Sequence, residues 1–253
     1  MLPLERQNNL IKFLEENDSS TVSELAVYFN VHEATIRRDL TVLEKKGLTK
    51  RTHGGAILDK EIHSEPSFQE REAVQYNEKL RIGQKAALMI EDGDNIILDS
   101  GTTTLHIAKS ITAKKNITVI TNDINIAAIL RFSYSIKVVV TGGVLFTDNY
   151  ILNGFLTNEM LSSINVQKAF IGTPALHHKN GITHFDEYLV AAKREMIRAA
   201  KEIIVVADHT KIGRVSTFSV AEVNKINDIV IGKEMKQQDV LKWEDSKVRV
   251  HLT

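Results

Sequence analysis

The chain has 253 residues, its 32 Lys and Arg balance 32 Asp and Glu, and it contains no cysteine. At roughly 100–200 residues per domain, that length allows one large domain or two smaller ones, and 43% hydrophobic with 25% charged residues argues against disorder. Without cysteine there are no disulfides, thiolate zinc sites or cysteine nucleophiles, and no apolar run reaches the roughly 18–20 residues of a membrane span. Charges at Glu5, Arg6, Lys12, Glu15 and Glu16 stand where a signal peptide has its apolar stretch, so a cytoplasmic protein without a membrane partner is expected.

Leu10, Ile11 and Leu14 have the spacing of a buried helical stripe. Thr21-Val-Ser-Glu24 is a capping-box pattern that starts a second helix, with Val22, Leu25, Ala26 and Phe29 inward. After Asn30-Val31 a third helix follows, with Ile36, Leu40 and Leu43 on its apolar face and Thr35, Arg37, Arg38 and Thr41 outward. Gly47 is suited to stop it. Two short helices joined by a tight turn, the second rich in exposed arginine, read as helix-turn-helix.

Dividing the charge strengthens this reading. Residues 1–30 hold two basic and five acidic residues, net −3, whereas residues 31–56 hold six basic and three acidic, net +3. A phosphate backbone responds to the local field, screened over roughly 10 Å at 0.1 M salt. Leu48 to Ala56 then reads as a short hairpin, or wing, beside the third helix.

Asn30-Val-His-Glu-Ala-Thr-Ile-Arg-Arg-Asp-Leu40, with Leu43-Glu44, Gly47-Leu48 and Arg51-Thr-His-Gly-Gly-Ala56, resembles the winged helix-turn-helix signature of the DeoR family of bacterial transcription regulators. His32 departs from it, standing where the family usually has a capping serine. In this reading Glu33, Ala34, Thr35, Arg37, Arg38 and Thr41 face the major groove of double-stranded operator DNA. Lys50, Arg51 and His53 hold phosphates. Phosphate contacts give affinity and register, and base-edge contacts give sequence preference.

Residues 58–76 are charged and carry one of only three prolines, and are expected to link a DNA-binding domain (1–57) to a larger one (77–253). Phe68 and Tyr76 are its candidates for docking on a neighbour. From residue 77 short apolar strands alternate with helices. The strands at Ile96–Leu98, Ile117–Ile120, Ile136–Val140, Ala169–Ile171 and Ile203–Val206 end in Asp99-Ser100, Thr121-Asn122-Asp123, Thr141-Gly142-Gly143, Gly172-Thr173 and Ala207-Asp208. Such alternation predicts an α/β fold with a mainly parallel sheet covered on both faces. Ligands of such sheets lie outside the carboxyl ends of the strands. The run Ser100-Gly101-Thr102-Thr103-Thr104 at a helix start suits a phosphate or similar anion, and Lys193 and Lys211 could supply countercharge. Either lysine taken alone reads sooner as a solvated surface cation.

The resemblance continues through Glu91-Asp-Gly-Asp94, Leu98 to Thr104, Val119-Ile-Thr-Asn122, Gly142-Gly143, Gly181-Ile-Thr183, Lys193-Arg194 and Asp208-His-Thr-Lys-Ile-Gly213, which look like the family's sensor domain. It implies a fold like ribose-5-phosphate isomerase and a phosphorylated sugar or polyol as effector. The stretch from Gly181 to Arg214 is similar to the glucitol operon and glycerol-3-phosphate regulon repressors. The effector residues so implied are Asp99, Ser100, Gly101, Thr102, Thr103, Thr104, Thr121, Asn122, Gly142, Gly143, Gly172, Asp186, Lys193, Asp208 and Lys211. Leu189 and Leu145-Phe146 depart from the family's usual glutamate and arginine, pointing to a differently shaped effector or a weakened response. The alternative is a sugar-phosphate isomerase-like enzyme using Asp99, Asp186, Glu187 or Asp208 as base. Absence of the family's glutamate and presence of the DNA-binding head favour a sensor without catalysis.

His177, His178 and His184 surround a glycine turn without metal-ligand spacing, so neither metal nor cofactor is expected. One helix-turn-helix head reads only a half-site, so a homodimer or homotetramer is expected. The function expected is a repressor of a sugar or polyol operon.

Overall fold

Leu10 and Leu14, one helical turn apart, are fully buried, and the N-terminal segment closes over them. This computed structural model describes residues 2–17, 19–45, 48–52, 54–58, 61–62, 66–244 and 246–253. The chain divides into two units, Met1–Glu65 and Pro66–Thr253.

The smaller unit runs α1 (Pro3–Asn17), β1 (Ser19–Thr21), α2 (Val22–Phe29), α3 (Glu33–Lys45), β2 (Thr49–Thr52), β3 (Gly55–Leu58) and a two-residue strand β4 (Glu61–Ile62). The capping box forms as its spacing predicts. Thr21 Oγ1 accepts the Glu24 amide at 3.2 Å, and the Glu24 carboxylate accepts the Thr21 amide at 2.8 Å. Asn30 ends α2 in the left-handed conformation, φ 51°, which asparagine tolerates better than most residues. Val22, Leu25, Ala26 and Phe29 of α2 join Ile36, Leu40 and Leu43 of α3 in one core with Leu10, Leu14 and Ala56. The wing pairs antiparallel from Thr49–Leu58 to Thr52–Gly55. β1 adds a third strand against β3, which periodicity does not reveal because three residues are too few to show alternation. Gly47, the expected stop of α3, lies outside the described residues.

The larger unit begins with α4 (Phe68–Ala73), α5 (Tyr76–Ala87), β5 (Asn95–Leu98), α6 (Thr102–Ser110), β6 (Ile117–Thr121), α7 (Ile124–Leu130) and β7 (Ile136–Val140). A hairpin, β8 (Val144–Phe146) with β9 (Ile151–Asn153), leads into α8 (Phe155–Ser162) and β10 (Val166–Gly172). Then come β11 (Ala175–His177), β12 (Gly181–His184), α9 (Glu187–Ala199), β13 (Ala200–Val206), β14 (Val215–Ser216), β15 (Phe218–Ala221), β16 (Asp228–Ile231), α10 (Gln237–Leu241) and β17 (Arg249–Leu252). Seven strands form one sheet in the order β17-β16-β13-β10-β5-β6-β7, and every neighbouring pair is parallel. β11, β12 and β15 make a small antiparallel sheet.

Strand side chains alternate between two cores, as a pleated strand requires. Ile97, Ile171, Val205 and Ile229 face the core containing α8, α9 and Trp243. Leu98, Phe170, Ile204 and Val230 face the one containing α5, α6 and α7. Helices α5 and α6 approach closely at Gly83, where a Cβ would lie 2.6 Å from the His106 backbone and side chain, so glycine is required there. Among the described residues no helix is long and apolar enough to cross a membrane.

The expected linker, 58–76, is not all connecting chain: residues 66–76 fold with the larger unit. Ser67 and Glu70 form a reciprocal capping box at the start of α4, and Phe68 is buried against Tyr150. The Ser67-x-x-Glu70 spacing is legible in the sequence, but the surrounding charges mask a helix with a single buried apolar anchor.

Candidate functional site

Helix α3 turns its apolar face inward and leaves Glu33, Ala34, Arg37 and Arg38 exposed, with Thr35 and Thr41 half-buried. Arg37 pairs with Glu33 at 2.8 Å across one exposed helical turn. Such a pair contributes about 0.3–0.5 kcal/mol, so Arg37 can exchange it for another anion at little cost. The Thr41 hydroxyl donates back to the Arg37 carbonyl at 2.8 Å. Arg38 makes no side-chain hydrogen bond or ion pair among the described residues, and no His32 side-chain bond caps the helix. Lys50 and Arg51 are exposed on the wing strand β2. His53 lies outside the described residues.

Asp39 faces the opposite way. It is 4% exposed and accepts bonds from Arg6 Nε at 2.5 Å and Gln7 Nε2 at 3.1 Å. Arg6 of the acidic first segment therefore neutralises an acid of the basic second one. With Asp39 so matched, residues 31–56 retain six basic against two acidic residues, net +4, and a buried ion pair fixes the angle of α3 to α1.

The all-parallel order of the larger unit brings all its strand carboxyl ends to one edge. Asp208, Asp99, Asn122 and Thr141 follow β13, β5, β6 and β7, and Gly172 ends β10; these neighbouring strands span ~19 Å at usual strand spacing. β6 and β7 lie on one side of β5, while β10, β13, β16 and β17 lie on the other. This reversal between β5 and β10 is a topological switch point, where parallel sheets open a crevice. Asp99 and Gly172 flank it.

Lys193, on α9, reaches into that crevice. Its Nζ donates to the Gly172 carbonyl at 2.8 Å and to Asp99 Oδ2, which also accepts the Gly172 amide at 3.0 Å. Both side chains are buried. The solvated reading of Lys193 is therefore wrong, and its charge is already matched within the protein. Burial pushes the Asp99 carboxyl above its ordinary value, outweighing the downward pull of Lys193 and of the amides of Gly172 and Ser100.

Next to this pair, α6 starts at Gly101 without a side-chain cap. Thr102, Thr103 and Thr104 of its first turn are all buried. Thr104 Oγ1 donates to the Gly101 carbonyl at 2.8 Å, and Ser100 Oγ donates to Asp123 at 2.8 Å. Asp123 caps α7 by accepting the amides of Asn125 and Ile126, at 2.7 and 3.1 Å. Thr121 is fully buried and accepts the Asp123 amide at 3.1 Å, so it supports this corner from behind.

Gly142 and Gly143 have φ of 72° and 118°. A Cβ on Gly143 would lie 2.4 Å from Thr157 Oγ1 and 2.7 Å from the Asn153 carbonyl. Asp186 caps α9 through the Tyr188 amide at 2.9 Å. Asp208 accepts the Thr210 amide at 3.1 Å; burial pushes its carboxyl up, but Lys211, Lys79, Thr210 and His209 bring it below the ordinary range. Lys211 is half-buried, and its ammonium has no hydrogen bond or ion pair among the described residues. At the two departures from the family pattern, Leu189 is buried, whereas Leu145 and Phe146 are exposed on β8.

Residues 6–62 match the DeoR-like helix-turn-helix domain and residues 74–233 the DeoR C terminal sensor domain. The chain belongs to the DeoR family of transcriptional regulators. It is 31% identical over 252 residues to the HTH-type transcriptional regulator GolR of Listeria innocua, covering 100% of this chain and 99% of that one. It is 28% identical over 229 residues to the glycerol-3-phosphate regulon repressor of Escherichia coli, covering 90% of each. Ribose 5-phosphate isomerase A from Neisseria gonorrhoeae superposes with a TM-score of 0.40 and 14% identity, covering 54% of this chain and 53% of that one. That likeness is too loose to carry inference.

In this DeoR-family chain, several structural partners escape sequence reading. Arg6–Asp39 joins residues 33 positions apart. Buried Glu78 accepts the His209 amide and contacts Nδ1, both at 2.7 Å, holding the loop that carries Lys211. Lys79 beside it donates to the Val74 carbonyl at 2.8 Å and to that of Arg71. His184, which reads as a loop residue, is buried, and its Nδ1 accepts the Asp186 amide at 3.0 Å. Burial, with Lys193 and Arg71 nearby, lowers its pKa to about 3, so the neutral ring carries its proton on Nε2. Arg6–Asp39 and Glu78–His209 escape local patterns because each joins distant segments; the bonds of Lys79 and His184 are local, and what the fold decides there is burial.

Proposed function

We propose that this DeoR-family regulator is a repressor of a sugar or polyol utilisation operon, released by a phosphorylated sugar or polyol at the strand-end rim. The observation carrying the effector assignment is the uncapped first turn of α6 beside the switch point. Its amides and the positive end of its dipole favour an anion, the hydroxyls of Thr102 and Thr103 add donors, and the half-buried Lys211 ammonium near Asp208 adds charge. The regulon repressor named above for glycerol 3-phosphate supports a phosphorylated effector. α3 enters the major groove through Glu33, Ala34, Thr35, Arg37, Arg38 and Thr41, while Lys50, Arg51 and His53 of the wing hold phosphates. Since one head reads one half-site, the protein acts as a homodimer or larger assembly.

Commitment of three of the four candidate bases supports sensing over isomerisation. Asp99 binds Lys193, Asp186 caps α9 and Asp208 binds Thr210, whereas Glu187 is exposed and its side chain makes no hydrogen bond or ion pair among the described residues. A proton-shuttling base must instead be free to reach the substrate. Release then follows from linkage: the effector shifts operator occupancy by its differential affinity for two conformations.

The test uses a duplex selected by the wild-type protein from a random-sequence pool. Arg37→Ala and Arg38→Ala are each expected to abolish or greatly weaken its mobility shift; normal shifts by both would defeat the α3 assignment. Hexose, hexitol, pentose and glycerol phosphates are then screened for DNA release. The sensor assignment fails if none binds, and if Thr103→Ala and Lys193→Ala leave release unchanged.

A further inference from the structure

Two buried amide oxygens beside the rim have no donor among the described residues. Asn122 is 3% exposed and Asn153 is 2% exposed. Asn122 Nδ2 donates to the Leu152 carbonyl at 3.3 Å, and Asn153 Nδ2 donates to the Tyr188 carbonyl at 2.7 Å. These bonds fix both amides, since flipping either would set oxygen against a carbonyl oxygen. The atoms left over are therefore acceptors, and Oδ1 of each is buried without a donor among the described residues. The backbone joins them: the Leu152 amide donates to the Asn122 carbonyl at 2.8 Å, and Asn153 follows Leu152. Asn153 also lies against Gly143 and, through Tyr188, the first turn of α9, the helix that carries Lys193.

A buried acceptor without a donor is costly, and a donor brought by a ligand relieves that cost. The oxygens of a dianionic phosphate ester and of carboxylates are acceptors, so neither satisfies these atoms; the hydroxyl groups of a polyol do. We infer that Asn153, with Asn122, forms a hydroxyl-recognition subsite that selects a polyhydroxylated effector, with Asn153 as a specificity-determining residue. This rests on the rim being the effector site. It adds the other end of the ligand: the anionic group is held at α6, and the hydroxylated chain extends towards β9. The spacing Asn122 to Asn153 carries no sequence signal, because a hairpin creates the neighbourhood.

The test measures binding of glucitol 6-phosphate, its 1-deoxy and 2-deoxy analogues and inorganic phosphate by calorimetry, using the full chain and Asn153→Val. The variant is expected to bind glucitol 6-phosphate about tenfold more weakly, the scale of one hydrogen bond to a buried group, and inorganic phosphate within twofold of wild type. At least one deoxy analogue should lose about the same factor on wild type and nothing further on the variant. Unchanged glucitol 6-phosphate affinity, or equal weakening of inorganic phosphate, overturns the inference. Binding of inorganic phosphate but not the polyol phosphate by wild type overturns this subsite and leaves the α6 anion site standing. Binding of neither overturns both. If Trp243 fluorescence shows Asn153→Val unfolded, Asn153→Ser is measured against the same criteria.

Discussion

Lys193→Met would leave the Asp99 carboxylate buried at 2% exposure, with the Gly172 and Ser100 amides still facing it. Removing one member of a buried ion pair costs about 3–5 kcal/mol, because the remaining charge has lost its partner without regaining water. Asp99→Asn in turn removes the ammonium's countercharge, leaving it only neutral acceptors, the amide oxygen and the Gly172 carbonyl at 2.8 Å. Removing both charges together often costs little, so Asp99→Asn/Lys193→Met should be more stable than the single losses sum to, with a coupling of at least ~2 kcal/mol. Trp243 makes the assay specific. It is the chain's only tryptophan and sits 2% exposed in the core of the larger unit. Urea unfolding followed by its fluorescence therefore reports that unit. Single losses below ~1 kcal/mol, or additive losses in the double variant, would refute the claim that the pair is fixed before any ligand arrives.

Arg6→Met is expected to destabilise the smaller unit by about 3–5 kcal/mol and abolish the operator mobility shift, although Arg6 is buried and every α3 cation is retained. A wild-type shift would show that the Asp39 pair does not set the angle of α3. Gly143→Ala meets Thr157 and Asn153 at sub-contact distances and adds a side chain at φ 118°. The backbone strain alone is about 1–3 kcal/mol, so a lowered Trp243 unfolding midpoint and weaker effector binding are expected, and an unchanged midpoint would refute the clash. The larger unit should also lose stability in acid through two buried histidines, His184 with its pKa lowered to about 3 and His106 to about 4, in both cases chiefly by burial. The unfolded chain binds these protons near pH 6.5 and the folded chain does not, so stability present above pH 6.5 falls as pH drops towards 4, by about 2 kcal/mol per histidine at pH 5. His106→Phe, which keeps the ring beside Tyr76, should remove about half of that slope in urea melts at pH 8 and 5. An unaltered slope would count against the buried neutral ring.

The sequence alone determines a good deal here. Helical spacing placed Val22, Leu25, Ala26 and Phe29 inward and Arg37 and Arg38 outward, because a helix of 3.6 residues per turn converts spacing directly into a face. Short apolar runs ending in polar residues placed five strand ends on one rim, because parallel strands joined by helices must all point one way. Local chemistry likewise wrote the Thr21–Glu24 capping box into the chain. Departures came where identity depends on a distant partner. Lys193 reads as a solvated cation until α9 packs over the switch point and presses it onto Asp99, 94 positions earlier. Asp39 counts as an acid opposing DNA until Arg6 folds beneath it. The zero net charge met at the start had the same ambiguity: segment counts showed how it divides along the chain, but only packing decided which charges face outward. The orphaned oxygens of Asn122 and Asn153 belong wholly to the tertiary structure, since burial without a donor is a property of the surrounding atoms and cannot be written in either residue.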